Sequence, residues 1–222
     1  MHSFTLPKTT EVKRVVPKNS FDSFATPKQK RLFTELVQRI TWSFKLSTAT
    51  TNLPSSNISE VQIFTVELKQ KSPAIKELLD LIDKCIPYNI LFKVIYEDEY
   101  FFHTSIKRHH AQDEDKSVID FSFVSGWSSE QDLILELKTS IDSIYLNLSH
   151  QLSDFPEVQE ISLDELVAKQ KEVNQLRKEI AATKAAIKKS KSFKTKVDLN
   201  QKLKVAEKKL ESKNPTIQVK SD

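Results

Sequence analysis

A single glycine in 222 residues, Gly126, removes most of the phosphate-binding repertoire from consideration. A P-loop and a dinucleotide fingerprint each need several glycines within a few residues, so that backbone amides can curl around phosphate oxygens. The Gly-x-Ser-x-Gly elbow of the α/β-hydrolases is also missing, although a Ser/His/Asp triad built in another way stays open. Cys85 is the sole cysteine, which excludes an intramolecular disulfide and a cysteine-rich zinc site. No run approaches the roughly 18 apolar residues of a membrane-spanning helix. The opening Met1-His2-Ser3-Phe4-Thr5-Leu6-Pro7 lacks the charged-then-apolar pattern of a secretory signal. The expectation is a cytoplasmic protein with no membrane partner.

What the chain has is apolar mass and an uneven charge. Hydrophobic residues make up 38%, with thirteen Phe, enough for a buried core. Residues 1–183 hold 22 Lys+Arg against 26 Asp+Glu, a balance of −4, whereas residues 184–222 hold 12 Lys against 4 acids, a balance of +8. The basic character belongs to the C-terminal segment and points that segment towards a polyanion or an acidic partner.

Residues 1–25, punctuated by Pro7 and Pro17, read as an extended arm. Thr26-Pro27 is a helix start, with Thr as N-cap and Pro at the first helical position, and Leu32, Leu36 and Ile40 follow at helical spacing. Ile40, Trp42, Phe44 and Leu46 alternate with polar residues as a one-sided strand, residues 48–59 form a loop, and Val61–Leu68 is apolar on both faces, as in a central strand. Ser72-Pro73 opens a helix with the stripe Ile75, Leu78, Leu79, Ile82 and Cys85, stopped by Pro87; Cys85 is read as a small buried hydrophobe. Ile90–Tyr96 and Tyr100–Lys107 form a hairpin about Glu97-Asp98-Glu99, residues 108–116 a charged loop, and Val118–Val124 a fifth strand. Ser128 or Ser129 is expected to cap one long helix through Leu133, Leu137, Ile141, Ile144, Leu148 and Leu152.

After Pro156 the period changes. Leu166, Val173, Ile180 and Ile187 recur every seven residues, with Leu163 and Leu176 thickening the seam; a second stripe, Phe193, Val197, Leu199, Leu203, Ala206 and Leu210, begins beyond Ser190-Lys191-Ser192. The broken register predicts two antiparallel helices over 162–189 and 192–212. The fold class is therefore α/β in the α+β sense: a mixed five-stranded sheet with packed helices over 26–155, a lysine-rich helical hairpin (a coiled coil) over 156–213 and a disordered tail over 214–222.

Four constellations could carry function. Glu67-Leu68-Lys69 closes the central strand, where restriction-type nucleases place a Glu-x-Lys; the carboxylate holds Mg²⁺ and the lysine steadies the developing charge. Such a site needs a second carboxylate from the preceding strand, which here offers Lys45, Ser43 and Ser47. The structural reading is an ion pair of Glu67 with Lys45 or Lys69, so no catalytic or metal site is assigned; Glu67, Lys69 and Lys45 stand only if Mg²⁺-dependent cleavage applies. His103, His109 and His110 with Asp113, Glu114 and Asp115 fit a solvated loop better than a metal site. Trp42, Trp127 and the other aromatics alternate with polar positions as core, in preference to a stacking platform for single strands. The lysines around the hairpin turn, Lys188, Lys189, Lys191, Lys194 and Lys196 above all, are the candidate binding residues; a solvated helix face competes with phosphate contact.

Six stretches together resemble a bacterial family, the domain of unknown function numbered four-three-nine-one. They are Pro7-Lys8-Thr9-Thr10-Glu11-Val12, Lys30-Arg31-Leu32-Phe33, Ile40-Thr41-Trp42-Ser43-Phe44-Lys45-Leu46, Val61-Gln62-Ile63-Phe64 with Glu67-Leu68-Lys69, Ile82-Asp83-Lys84-Cys85-Ile86-Pro87-Tyr88, and Phe193-Lys194-Thr195-Lys196-Val197-Asp198-Leu199-Asn200. The resemblance brings no catalytic residues. It implies encoding beside helicases and DNA methyltransferases in restriction-like loci, and hence phage defence. The expected function is a non-catalytic accessory or scaffold subunit of such an assembly, docking DNA or a helicase or methyltransferase partner through the basic hairpin, with no cofactor. The alternatives are a Mg²⁺-dependent nuclease and a structural protein that homodimerises along the heptad seam.

Overall fold

A computed structural model describes residues 4–110, 113–130, 133–156 and 161–213, with the side chains of residues 109–110 and 113–117 left aside. The tail over 214–222 and the side chains of the His109/His110 cluster with its acids lie outside what is described. Two compact units divide at Ser153/Asp154.

The first unit is built on one six-stranded mixed sheet in chain order β1-β2-β3-β4-β5-β6. Its elements are β1 (Glu11–Val15), α1 (Pro27–Leu36), β2 (Val37–Ser47), the single-turn α2 (Thr48–Thr51), β3 (Glu60–Leu68), α3 (Ile75–Cys85), β4 (Asn89–Tyr96), β5 (Glu99–His110), β6 (Asp113–Val124) and α4 (Ile141–Gln151). Neighbouring strands are antiparallel except β3 and β4, which run parallel. A parallel pair needs a crossover, and α3 supplies it. Its stripe Ile75, Leu78, Leu79 and Ile82 is buried with Phe64, Val66, Phe92 and Val94 of the central strands and Phe33 and Leu36 of α1. The Thr26 cap forms as the sequence predicts, with the Thr26 hydroxyl accepting from the Gln29 amide and Pro27 at the first position.

On the opposite face, Tyr145 of α4 is fully buried, and its hydroxyl donates to the Ser105 carbonyl at 2.7 Å and accepts from Thr104 Oγ1 at 3.1 Å. Asp142, in the first turn of α4, accepts from the amides of Ser56 and Asn57 at 2.8 Å and of Ile58 at 3.0 Å, and so shapes the loop before β3.

Four expectations are corrected. The sheet has six strands, because Glu11–Val15 of the extended arm pairs with β2. As an edge strand it leaves four of its five side chains exposed and carries a kink at Lys13 (φ 52°), so no apolar alternation announced it. Of the charged loop expected over 108–116, residues 108–110 instead end β5 and residues 113–116 begin β6, since backbone pairing continues past the apolar residues. Residues 48–51 form a helical turn inside the anticipated loop. The long helix from Ser128 does not form: Ser128 exchanges two backbone hydrogen bonds with Tyr100, and the helix starts only after Ser140, whose hydroxyl accepts from the Ser143 amide. Thr139, at φ 66°, breaks any earlier helix, and the Ile141 amide is taken by the Pro54 carbonyl.

The second unit consists of α5 (Leu163–Lys189) and α6 (Phe193–Lys213). Ser162 caps α5 reciprocally with Glu165, and the helix ends at Ser190, short of any continuous rod. Ion pairs Lys184–Glu207 at 3.2 Å and Lys213–Glu172 at 2.7 Å run in opposite senses along the two helices, so the pair is antiparallel. Leu166, Val173, Ala206 and Leu210 are buried as anticipated, whereas Phe193 and Val197 are not: Phe193 is 83% exposed and Val197 42%.

The three amide hydrogen bonds hold the Asp142 carboxyl below its usual 3.8; burial alone would raise it. The carboxylate therefore stabilises the fold above pH 3.8, and that contribution disappears as pH falls through the lower folded value. Asp142→Asn should lower Tm at pH 7 by about 2–4 °C in a thermal scan and should flatten the loss of stability below pH 3.8.

Candidate functional site

The Glu67 end of β3 does not assemble a metal site. Arg39 lies opposite Glu67 in the β2–β3 register and donates to its Oε1 from Nε at 2.8 Å and from Nη2 at 2.6 Å. The Lys69 ammonium goes elsewhere, to the Thr34 carbonyl at 2.7 Å, while the Lys69 amide donates to the Leu36 carbonyl at 2.8 Å. Both contacts satisfy carbonyls at the C-terminal end of α1, where cations are favourable. Lys45 pairs with Glu60 at 2.6 Å. It lies opposite Gln62, five residues before Glu67, which at strand rise is roughly 16 Å away. The ion pair expected at Glu67 exists, but its partner is Arg39. Among the described residues no three His, Cys, Asp or Glu side chains converge as a metal site.

A polar cluster that sequence reasoning missed lies where α3 crosses β5. Lys107, 4% exposed, meets the fully buried Asp83 at 2.9 Å. The same ammonium donates to the carbonyls of Asp83 at 3.0 Å, Ile86 at 2.7 Å and Tyr88, so it closes the C-terminal end of α3. Burial pushes the Asp83 carboxyl up and the Lys107 ammonium down, and each partner opposes that drift in the other. Further back along β5, His103 Nε2 contacts Ser105 Oγ at 3.1 Å, and Ser105 Oγ contacts Ser122 Oγ at 3.1 Å. Asp80 Oδ1 stands 3.8 Å from the same His103 nitrogen. A Ser/His/Asp relay requires hydroxyl and carboxylate on opposite ring nitrogens. Here both approach Nε2, so the geometry does not make a nucleophile of Ser105. Burial, reinforced by the Lys76 ammonium, lowers His103 to about 4 and keeps the ring neutral at pH 7. The available signal was Asp80 and Asp83 spaced one turn apart on the helix that carries the apolar stripe, with a lysine inside a strand.

Trp42 and Trp127 belong to packing. Trp42 stacks on Phe64 at 6.2 Å and 2°, and Trp127 meets Phe101 edge-on at 4.7 Å and 74°. Cys85 is half-buried, and burial raises its thiol, which makes it a poor nucleophile.

The hairpin turn gathers the candidate binding residues. Lys188 and Lys189 close α5, Lys191 lies in the turn, and Lys194 and Lys196 open α6; all five are exposed. None of them makes an ion pair among the described residues, in contrast to Lys184 and Lys213. Lys188 and Lys189 sit at the negative end of α5, where cations are favourable. Lys194 and Lys196 sit at the positive end of α6, whose first turn holds no acid. A cation there works against the helix dipole by a few tenths of a kcal/mol or more.

The fold and these surfaces define an α+β protein with a C-terminal helical pair and a basic turn. A family model described as "Domain of unknown function (DUF4391)" matches residues 4–210, and the chain belongs to that family. No curated protein and no solved structure matches it.

Two outcomes test the buried cluster. Lys107→Met leaves a buried carboxylate and three carbonyls without their cation, and urea unfolding should show a loss of about 3–5 kcal/mol. Asp83→Leu leaves the ammonium its three carbonyl acceptors and should cost less, about 1–3 kcal/mol. For His103 the folded value lies below the ordinary 6.5, so stability is full above pH 6.5 and declines towards pH 4. That decline, up to about 3 kcal/mol, should be absent from the pH profile of His103→Gln.

Proposed function

We propose that this chain is a non-catalytic accessory subunit that grips the phosphate backbone of nucleic acid through the turn of its helical hairpin, within a restriction-like or phage-defence assembly. The observation that carries this reading is the set of five exposed lysines about the turn with no ion pair among the described residues, two of them at the unfavourable end of a helix. A merely solvated face gains nothing by placing Lys194 and Lys196 against the α6 dipole; an anion bound there compensates both ammonium groups and helix end. Phe193 sits among these lysines with most of its ring in solvent, a ready apolar contact for sugar or base. The defence setting and a helicase or methyltransferase partner rest on the family resemblance. The nuclease alternative is weakened because Arg39 occupies Glu67 where a metal and its second carboxylate would have to stand.

Binding of this kind is independent of sequence and sensitive to salt. Each neutralised phosphate of a duplex releases condensed counterion, giving a log–log slope of about −0.9 per contact. Replacing Lys189, Lys191, Lys194 and Lys196 together by Gln should flatten the slope by up to about 4 units, measured by titrating a fluorescent duplex at several salt concentrations. None of the four side chains is buried, so circular dichroism should be unchanged. An unchanged slope would remove nucleic acid and leave an acidic protein surface as the target of the hairpin.

A further inference from the structure

We propose that the sheet-bearing unit holds a second, separate binding site, for a small aromatic monoanion, in the cavity between the start of α3 and the segment that follows β6. The cavity measures about 390 Å³, within the usual range for small-molecule sites. Its apolar wall comes from Ile75 and Leu79 of α3, Phe101 of β5, Val124 at the end of β6, and Trp127. Two ammonium groups, Lys71 and Lys76, and the neutral imidazole of His103 also line it. Apolar walls with a few convergent polar groups are the composition of a ligand site, and here the charged groups are of one sign.

The walls are held in place. The Tyr100 amide donates to the Ser128 carbonyl at 2.9 Å and the Ser128 amide to the Tyr100 carbonyl at 3.0 Å. Ser125 is anchored twice to Phe102, its amide to the Phe102 carbonyl at 3.0 Å and its Oγ from the Phe102 amide at 2.9 Å. Residues 125–128 are therefore fixed to β5 by four hydrogen bonds, and the Trp127 ring stands edge-on to Phe101 at 4.7 Å as part of the wall. Lys71 Nζ sits 4.7 Å from the centre of the Trp127 ring, which places a cation beside the aromatic wall. Lys71 is shared with Glu99, but Lys76 is exposed and makes no ion pair among the described residues. The combination selects a flat apolar body for Trp127 and Phe101, and one carboxylate or similar head for the lysines. A dianion would find the acidic neighbours Glu99 and Asp80 repulsive, and a neutral ring would leave both ammonium groups without an anion.

The two indoles of the chain allow a direct test on the whole protein. In ¹⁵N-labelled protein Trp42 and Trp127 give one indole cross-peak each, assigned with Trp42→Phe. Titration with 1-naphthoate should move the Trp127 peak saturably and leave Trp42 in place. The neutral isostere 1-naphthylmethanol, or naphthoate on the Lys71→Met/Lys76→Met double variant, should bind about tenfold more weakly or worse, the loss of one charge contact. Gly126→Leu fills the mouth; a Cβ there would meet no atom within 4 Å, so the variant should fold, keep its Trp42 peak and fail to respond. No saturable shift of Trp127, equal binding of the neutral isostere, or an undiminished response in Gly126→Leu would each overturn the proposal. Because the hairpin lysines are intact in all these variants, the outcome is separate from that of the salt titration.

Discussion

The contact on which the body depends most is the Lys107 ammonium inside the end of α3. A parallel β3–β4 pair can exist only if the crossover helix stops and hands the chain back to the sheet, and the carbonyls freed where it stops must be satisfied away from water. Lys107 supplies one cation to the last turn of α3, to the residues leading into β4 and to the Asp83 carboxylate. A buried pair of this kind adds little net stability compared with an apolar replacement, yet is costly to break. Its role here is positional: it ties α3 to β5 and sets where β4 can begin.

The charges that the sequence offered as a nuclease-like site are spent on the body itself. Arg39 holds Glu67, Lys45 holds Glu60, and Lys69 closes α1. A Glu-x-Lys at a strand end is nuclease-like in sequence, but its two side chains serve two different neighbours. The hairpin turn contrasts with this, because its ammonium groups carry no internal partner among the described residues and two of them oppose a helix dipole. The crowding of unpaired ammonium groups about one turn, two of them against a helix dipole, supports the proposed docking surface.

The cavity beside Trp127 follows from the same economy of the backbone. Ser125 and Ser128 bond to β5 rather than starting a helix, which holds the indole out as a wall and leaves room beneath it. The rewritten start of α4 and the presence of that cavity are thus one event.

Local signals in the chain were sufficient for the elements with strong apolar period: the Thr26-Pro27 cap, the stripe of α3, the two-faced Val61–Leu68 strand, the break at Ser190 and membership of the family. Each depends on neighbours close in sequence, where propensity, capping and periodicity act. The edge strand Glu11–Val15, the delayed helix at Ser140 and the partners of Glu67, Lys45, Lys69 and Lys107 were decided only by tertiary structure. An exposed edge strand needs no apolar pattern, because its energy lies in backbone pairing with β2. Ser140 and not Ser128 starts the helix because the Ser128 backbone is bonded to Tyr100, 28 residues away in sequence. A lysine reads the same in sequence whether it faces Asp83 or water; which it faces depends on residues brought together by the sheet, and that is a property of the fold.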